Sequence, residues 1–213
     1  MKNVVRLFFI MLAVALIGSA LGDTQNVEGV CYAVTFAPLL WPAGSDNMGG
    51  YKGRIAFIPE SAVKKVPTLP ENPSETAEFV TAEGAFDFKK NGDKPTPIYA
   101  TRATIGYKAE IQGEADCRSY KQSFEFFHPG SRVEAAAFAR QVCNTPGYLL
   151  LEDGEHQILV GQPGYPCTIS ASFDGGKAPA DKKGWSFTGD ADSVVPMIVM
   201  KSPHDLDELF TEI

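Results

Sequence analysis

The sequence predicts a mainly-β fold: a β-sandwich with one packed α-helix and long loops. Three observations lead there. Phe, Tyr, Val, Ile and Thr recur in short runs that alternate with polar residues, the two-residue period of half-buried strands. The 213 residues include 20 Gly and 15 Pro, which break the chain into short elements. A single stretch, residues 131–142, carries an unambiguous helical pattern, with Ala135, Phe138 and Val142 on one face.

The elements follow in order. Residues 29–37 read as a strand with Val30, Tyr32, Val34 and Phe36 on one face. A Gly-rich loop over 41–53 leads to a short strand at 54–58, then a helical turn at 61–66. Residues 67–73 form an extended Pro-rich connector, because Pro restricts its own φ and the residue before it. Strands are predicted at 79–88 and 98–111, with Gly84 and Gly92 marking a bulge or turns. Tyr120, Phe124 and Phe126 alternate with Lys121, Ser123 and Glu125 in the next strand. Pro129 and Gly130 break it, and Ser131 with Glu134 has the spacing of a capping box that opens the helix. Strands at 148–151 and 157–160 flank Asp153-Gly154, a hairpin signal. Further strands are expected at 167–173, 185–188 and 194–200, and residues 203–213 as an amphipathic helix or a frayed end. Two packed sheets with the helix on one edge accommodate this set.

Residues 119–138 resemble the central signature of bacteriophage tail tube (major tail) proteins of a type found in phages and prophages of gut bacteria. The signature residues are Phe124, Phe126, Phe127, His128, Pro129, Gly130, Ser131 and Glu134. Residues 23–30, 79–86, 154–161, 176–184 and 196–200 resemble other pieces of that family in the same order, so the layout spans 23–200. The resemblance implies a virion structural protein: a β-sandwich subunit that self-assembles into hexameric rings. The rings stack into the tube through which DNA passes. The implied partners are further copies of the chain and other tail proteins. Exposed edge strands invite pairing, and at least one hairpin is expected to be completed only in the oligomer. Two polar loops are the candidate assembly contacts, one with Asp46, Gly49, Gly50 and Tyr51, the other with Lys177, Asp181, Lys182 and Lys183. Plain solvent loops are the competing reading. Phe127 is expected to pack on the helix or on another subunit.

The N-terminus departs from the family. Lys2 and Arg6 precede an apolar run over 7–18, and Ala20 and Gly22 suit a signal peptidase. The run is shorter than the roughly 20 residues of a membrane span, so no membrane role is expected. Residues 1–22 are thus a signal-like segment or the product of a misplaced gene start. Translation from the codon read as Leu21 would give Met-Gly-Asp-Thr-Gln, close to the family's opening. Residues 23–200 form one domain and 201–213 a tail. The virion tail, assembled in the host cytoplasm, is the expected location, with a secreted or periplasmic one the alternative if residues 1–22 are a true signal peptide. A secreted β-sandwich binding module, for carbohydrate or a surface partner, is the alternative.

The net charge is −7, and the basic residues are scattered, which argues against specific nucleic-acid binding. An acidic lining suits a conduit through which DNA slides without sticking. Cys31, Cys117, Cys143 and Cys167 contain no C-x-x-C spacing, so they read as buried thiols, or as disulfides if the chain is exported. No cofactor, metal or enzymatic activity is expected. Residues 49–53 lack the phosphate-loop spacing. His128 reads as a hydrogen-bonding residue at the turn, and His156 and His204 as isolated and exposed. Asp174, Asp181, Asp190 and Asp192 lack the calcium-loop pattern. Glu152, Asp153 and Glu155 sit in a hairpin turn whose polarity explains them.

Overall fold

β-Strands dominate the computed structural model, which describes residues 36–41, 43–44 and 48–211. The strands are β1 (Arg54–Pro59), β2 (Val63–Lys65), β3 (Thr81–Ala82), β4 (Asp87–Phe88), β5 (Thr96–Tyr99), β6 (Gly106–Gln112) and β7 (Ser119–Pro129). Helix α1 (Val133–Val142) follows. Then come β8 (Gly147–Glu152), β9 (Gln157–Val160), β10 (Thr168–Asp174), β11 (Gly184–Ser193), β12 (Ile198–Met200) and helix α2 (Leu206–Thr211). The mainly-β class is as predicted. Segment 1–22, Cys31, Asp46 and all but the last two residues of the strand expected at 29–37 lie outside the described residues. Residues 36–41 belong to a separate unit and are exposed, without regular secondary structure.

A six-stranded sheet runs β3-β12-β9-β8-β1-β5, a four-stranded one β10-β11-β7-β6, and β2 and β4 form a small ribbon. The larger sheet is covered on both faces, so its central strands are continuous apolar runs, Leu149-Leu150-Leu151 and Ile158-Leu159-Val160. One face, with Ile55, Phe57, Leu149, Leu151, Ile158 and Val160, packs against Phe124, Phe126, Ile169 and Phe187 of the smaller sheet. The other face, with Ile58, Leu150, Leu159 and Ile198, packs under Val63, Phe86 and Leu206. The smaller sheet is half covered and keeps the predicted alternation: Gln122, Phe124 and Phe126 are buried while Lys121 and Glu125 are exposed.

The two sheets are laced at both sides. The Thr101 N–H donates to the Phe127 carbonyl at 2.9 Å, which ties the chain beyond β5 to β7. Gly147 and Cys167 exchange both backbone hydrogen bonds, at 3.1 and 2.7 Å, which ties β8 to the start of β10. A closed circuit of β8, β1, β5, β7, β11 and β10 therefore surrounds the first core, and α1 inserts Ala139 and Val142 into it.

Several local expectations are corrected. The helix does not open with a Ser131–Glu134 capping box; Arg132 is the N-cap and makes no side-chain cap bond. The reason is the β7–β11 ladder, which extends through Pro129 and holds Gly130 by its N–H on the Lys183 carbonyl. Ser131 is thereby left one residue too early. A capping box does form elsewhere, between Glu75 and Glu78, with the Glu78 carboxylate held below its usual range by the Ser74 and Glu75 N–H groups. The strand expected at 79–88 is a 3-10 turn (Thr76–Phe79) and two short strands, because Gly84 takes a φ of +91°. The helical turn expected at 61–66 is a 3-10 turn at Glu60–Ala62 followed by β2. The C-terminal segment is a helix, and its Leu206 belongs to the second core.

Candidate assembly surface

Apart from Phe127 and Pro129 at one end of β7, the side chains on the outward side of the four-stranded sheet are polar. Register places Lys108 and Glu110 of β6, Lys121, Ser123 and Glu125 of β7, Ser186, Thr188, Asp190 and Asp192 of β11, and Thr168, Ser170, Ser172 and Asp174 of β10 on this one face. Its charged groups are the carboxylates Glu110, Glu125, Asp174, Asp190 and Asp192 against the amines Lys108 and Lys121. The balance is acidic, and the local field disfavours phosphate. Lys121 and Asp190 pair at 2.9 Å, and the hydrogen bond and charge of Asp190 raise the Lys121 pKa. Gln112 donates to Asp192 at 2.7 Å.

The edges of this sheet are β6 and β10. Among the described residues, β6 has a strand neighbour only in β7, so its outer row of backbone groups is unpaired. Its Ile111, on the inward side by register with Tyr120, is 62% exposed. Every pairing in the sheet is antiparallel, which makes β6 and β10 run in opposite directions. Helix α1 packs against β10.

The signature residues take mainly structural roles. Phe124 and Phe126 stack in the first core, with ring centroids 6.4 Å apart, and Phe126 stacks on Phe187 at 4.9 Å. Phe127 points to the outward face, where its ring covers Gly184. His128 Nδ1 lies 2.8 Å from the Tyr99 carbonyl oxygen, which can only accept, so Nδ1 carries the proton. This bond reinforces the same side of the circuit as the Thr101–Phe127 bond. Pro129, Ser131 and Glu134 are exposed.

The two candidate loops differ. Gly49 and Gly50 are exposed, Gly50 with a φ of +111°, but Tyr51 packs against the first core. Burial, then Asp153, raises the Tyr51 pKa. In the second loop Lys177, Asp181, Lys182 and Lys183 are all exposed, yet the loop is organised: the Asp181 carboxylate accepts the N–H groups of Lys177 and Ala178, each at 2.7 Å. Those bonds hold the Asp181 carboxyl below its usual range.

Elsewhere, a cavity of about 340 Å³ opens beside the β8–β9 hairpin and the start of α2. Sequence reasoning missed it, since it joins residues 152–157 with 203–207. His204 is half-buried against Phe86, not exposed as expected, whereas His156 is exposed. Asp153 Oδ1 accepts the N–H groups of Glu155 and His156, the turn chemistry that its position predicts. Cys167 is buried, but Cys117 and Cys143 are exposed, a correction to the buried-thiol reading; no disulfide joins these three. Among the described residues no group of three or more His, Cys, Asp or Glu side chains could hold a metal ion, and no helix is long and apolar enough to cross a membrane. Comparison of the chain with family models, curated proteins and solved structures returns no match to any of them.

Proposed function

We propose that this protein is a phage tail tube subunit, a virion structural protein that assembles into stacked rings through copies of itself. The observation that carries this reading is the four-stranded sheet, whose edge β6 has no second strand neighbour among the described residues and adjoins an outward face that is mainly polar and acidic in balance. A ring needs two different edges on each copy, so that the contact is heterologous and closes by rotation. Pairing β6 of one copy with β10 of the next continues the antiparallel alternation without a break. The outward faces then line a shared barrel, and their carboxylates keep passing DNA from adhering. The chain performs no chemistry in this role. Its work is strand addition, followed by docking of loops such as 175–184 between rings.

Sedimentation and negative-stain imaging of the purified protein over rising concentration test the reading. Rings or tubes are expected, and Ile111→Lys, at an exposed position on the edge, is expected to leave a folded monomer. A wild-type protein that stays monomeric at every concentration overturns the reading and favours a secreted β-sandwich binding module.

A further inference from the structure

The second core is closed by the C-terminal segment. Leu206 of α2 is 2% exposed, Asp207 pairs with Arg54 of β1, and the Arg54 guanidinium lies 5.5 Å over the Phe210 ring. The chain entering α2 is clamped at His204 by Gln157 of β9, itself 5% exposed. Gln157 Oε1 accepts the His204 N–H at 2.8 Å, and its Nε2 donates to the His204 carbonyl at 2.9 Å. The imidazole lies 5.7 Å from the Phe86 ring, and its Nε2 is buried without a hydrogen-bond partner.

We propose that His204 is a pH-sensitive latch: neutral, it holds the C-terminal helix over the six-stranded sheet, and protonated, it releases that helix. A neutral imidazole with its proton on Nδ1 leaves only a lone pair at the buried Nε2. The imidazolium carries an N–H at both nitrogens, and a charged donor without an acceptor is costly to bury. Burial accordingly lowers the His204 pKa.

The titratable groups near the ring lie along the adjoining cavity. Phe86 and Gln157 bring no charge. The adjoining cavity is lined by Glu152 of β8, Glu155 and His156 of the hairpin, and Asp205 and Asp207 at the start of α2. Glu152 is paired with Lys52 and Asp207 with Arg54; Glu155 lies 3.9 Å from His156. Asp205 Oδ1 accepts the N–H groups of Asp207 and Glu208 at 2.9 and 3.1 Å.

The sign follows from linkage. Above the ordinary pKa of about 6.5 both states are neutral and pH has no effect. As pH falls from there toward the lowered value the released state binds the proton first, and attachment weakens. Below the lowered value the effect is constant.

Amide exchange of the full chain, read by mass spectrometry over residues 203–211 and normalised for intrinsic rates, tests the latch between pH 7.5 and 5.0. Protection is expected to fall about tenfold per unit of lowered pKa. His204→Phe keeps the ring packed and removes the proton, so its protection should be independent of pH; His156→Gln should behave as wild type. If His204→Phe does not fold, the NMR titration of the wild-type imidazole C–H resonances decides, with a midpoint below 6.5 expected. PH-independent protection in the wild type, the same pH dependence in His204→Phe, or a midpoint at or above 6.5 overturns the proposal.

Discussion

Gln122 and Gly161 hold the two sheets together at the centre of the sandwich. The Gln122 side chain is fully buried on β7, and its Oε1 accepts the Gly161 N–H at 3.2 Å, just beyond the end of β9. Its Nε2 donates to the Val195 carbonyl at 3.4 Å. Gln122→Leu keeps the volume and strands that N–H in an apolar core. The expected loss is about 1–3 kcal/mol, read as a lower denaturation midpoint at unchanged slope. A midpoint equal to wild type would show that the bond contributes nothing net.

Gly189 on β11 leaves the least room for a side chain among the glycines of the smaller sheet. A Cβ built there would stand 2.2 Å from the Thr168 carbonyl oxygen and 2.5 Å from the Phe124 ring. Backbone cannot yield cheaply, so Gly189→Ala should destabilise by about 1–3 kcal/mol or more. Gly154→Ala, where nothing lies within 4 Å, is the control and should be nearly silent. Equal midpoints for the two variants would refute the argument.

The 175–184 loop should loosen in acid. The backbone bonds from Lys177 and Ala178 lower the Asp181 pKa from 3.8. Loop order is then fully present above that value and is lost as pH falls through the lowered one. Asp181→Asn should speed amide exchange at Lys177 and Ala178 at neutral pH, and the gap from wild type should close in strong acid. A gap that persists there would mean that Asp181 acts through something other than its charge.

Thiol reactivity should separate the cysteines. Burial pushes the Cys167 thiol up to about 12, leaving almost no thiolate at neutral pH, and the side chain is out of reach of reagent. In a Cys31→Ser background, two thiols, Cys117 and Cys143, should react with a disulfide reagent in the native state. The third should react only on unfolding. Three fast thiols would contradict the burial of Cys167.

Local chemistry was legible in the chain. Alternation located β7, Asp153-Gly154 located the β8–β9 turn, and Ala135, Phe138 and Val142 located the helix, each within a window of a few residues. The candidate surface was half legible. Loop 175–184 announced itself by composition, whereas the edge status of β6 did not, because an edge is defined by the strand that is missing beside it.

By itself, then, the sequence determined the class, the strands and helix of the central region, and the acidic balance, since period and charge are properties of neighbouring residues. Only the tertiary structure decided which strands pair. It set β12 parallel to β3, joined Val199 to Thr81, and buried β8 and β9 on both faces. It also drew His204 under Phe86 and Gln122 across to Gly161. Those partners lie tens of residues apart, and burial of apolar surface across the whole fold, which no local pattern encodes, brings them together.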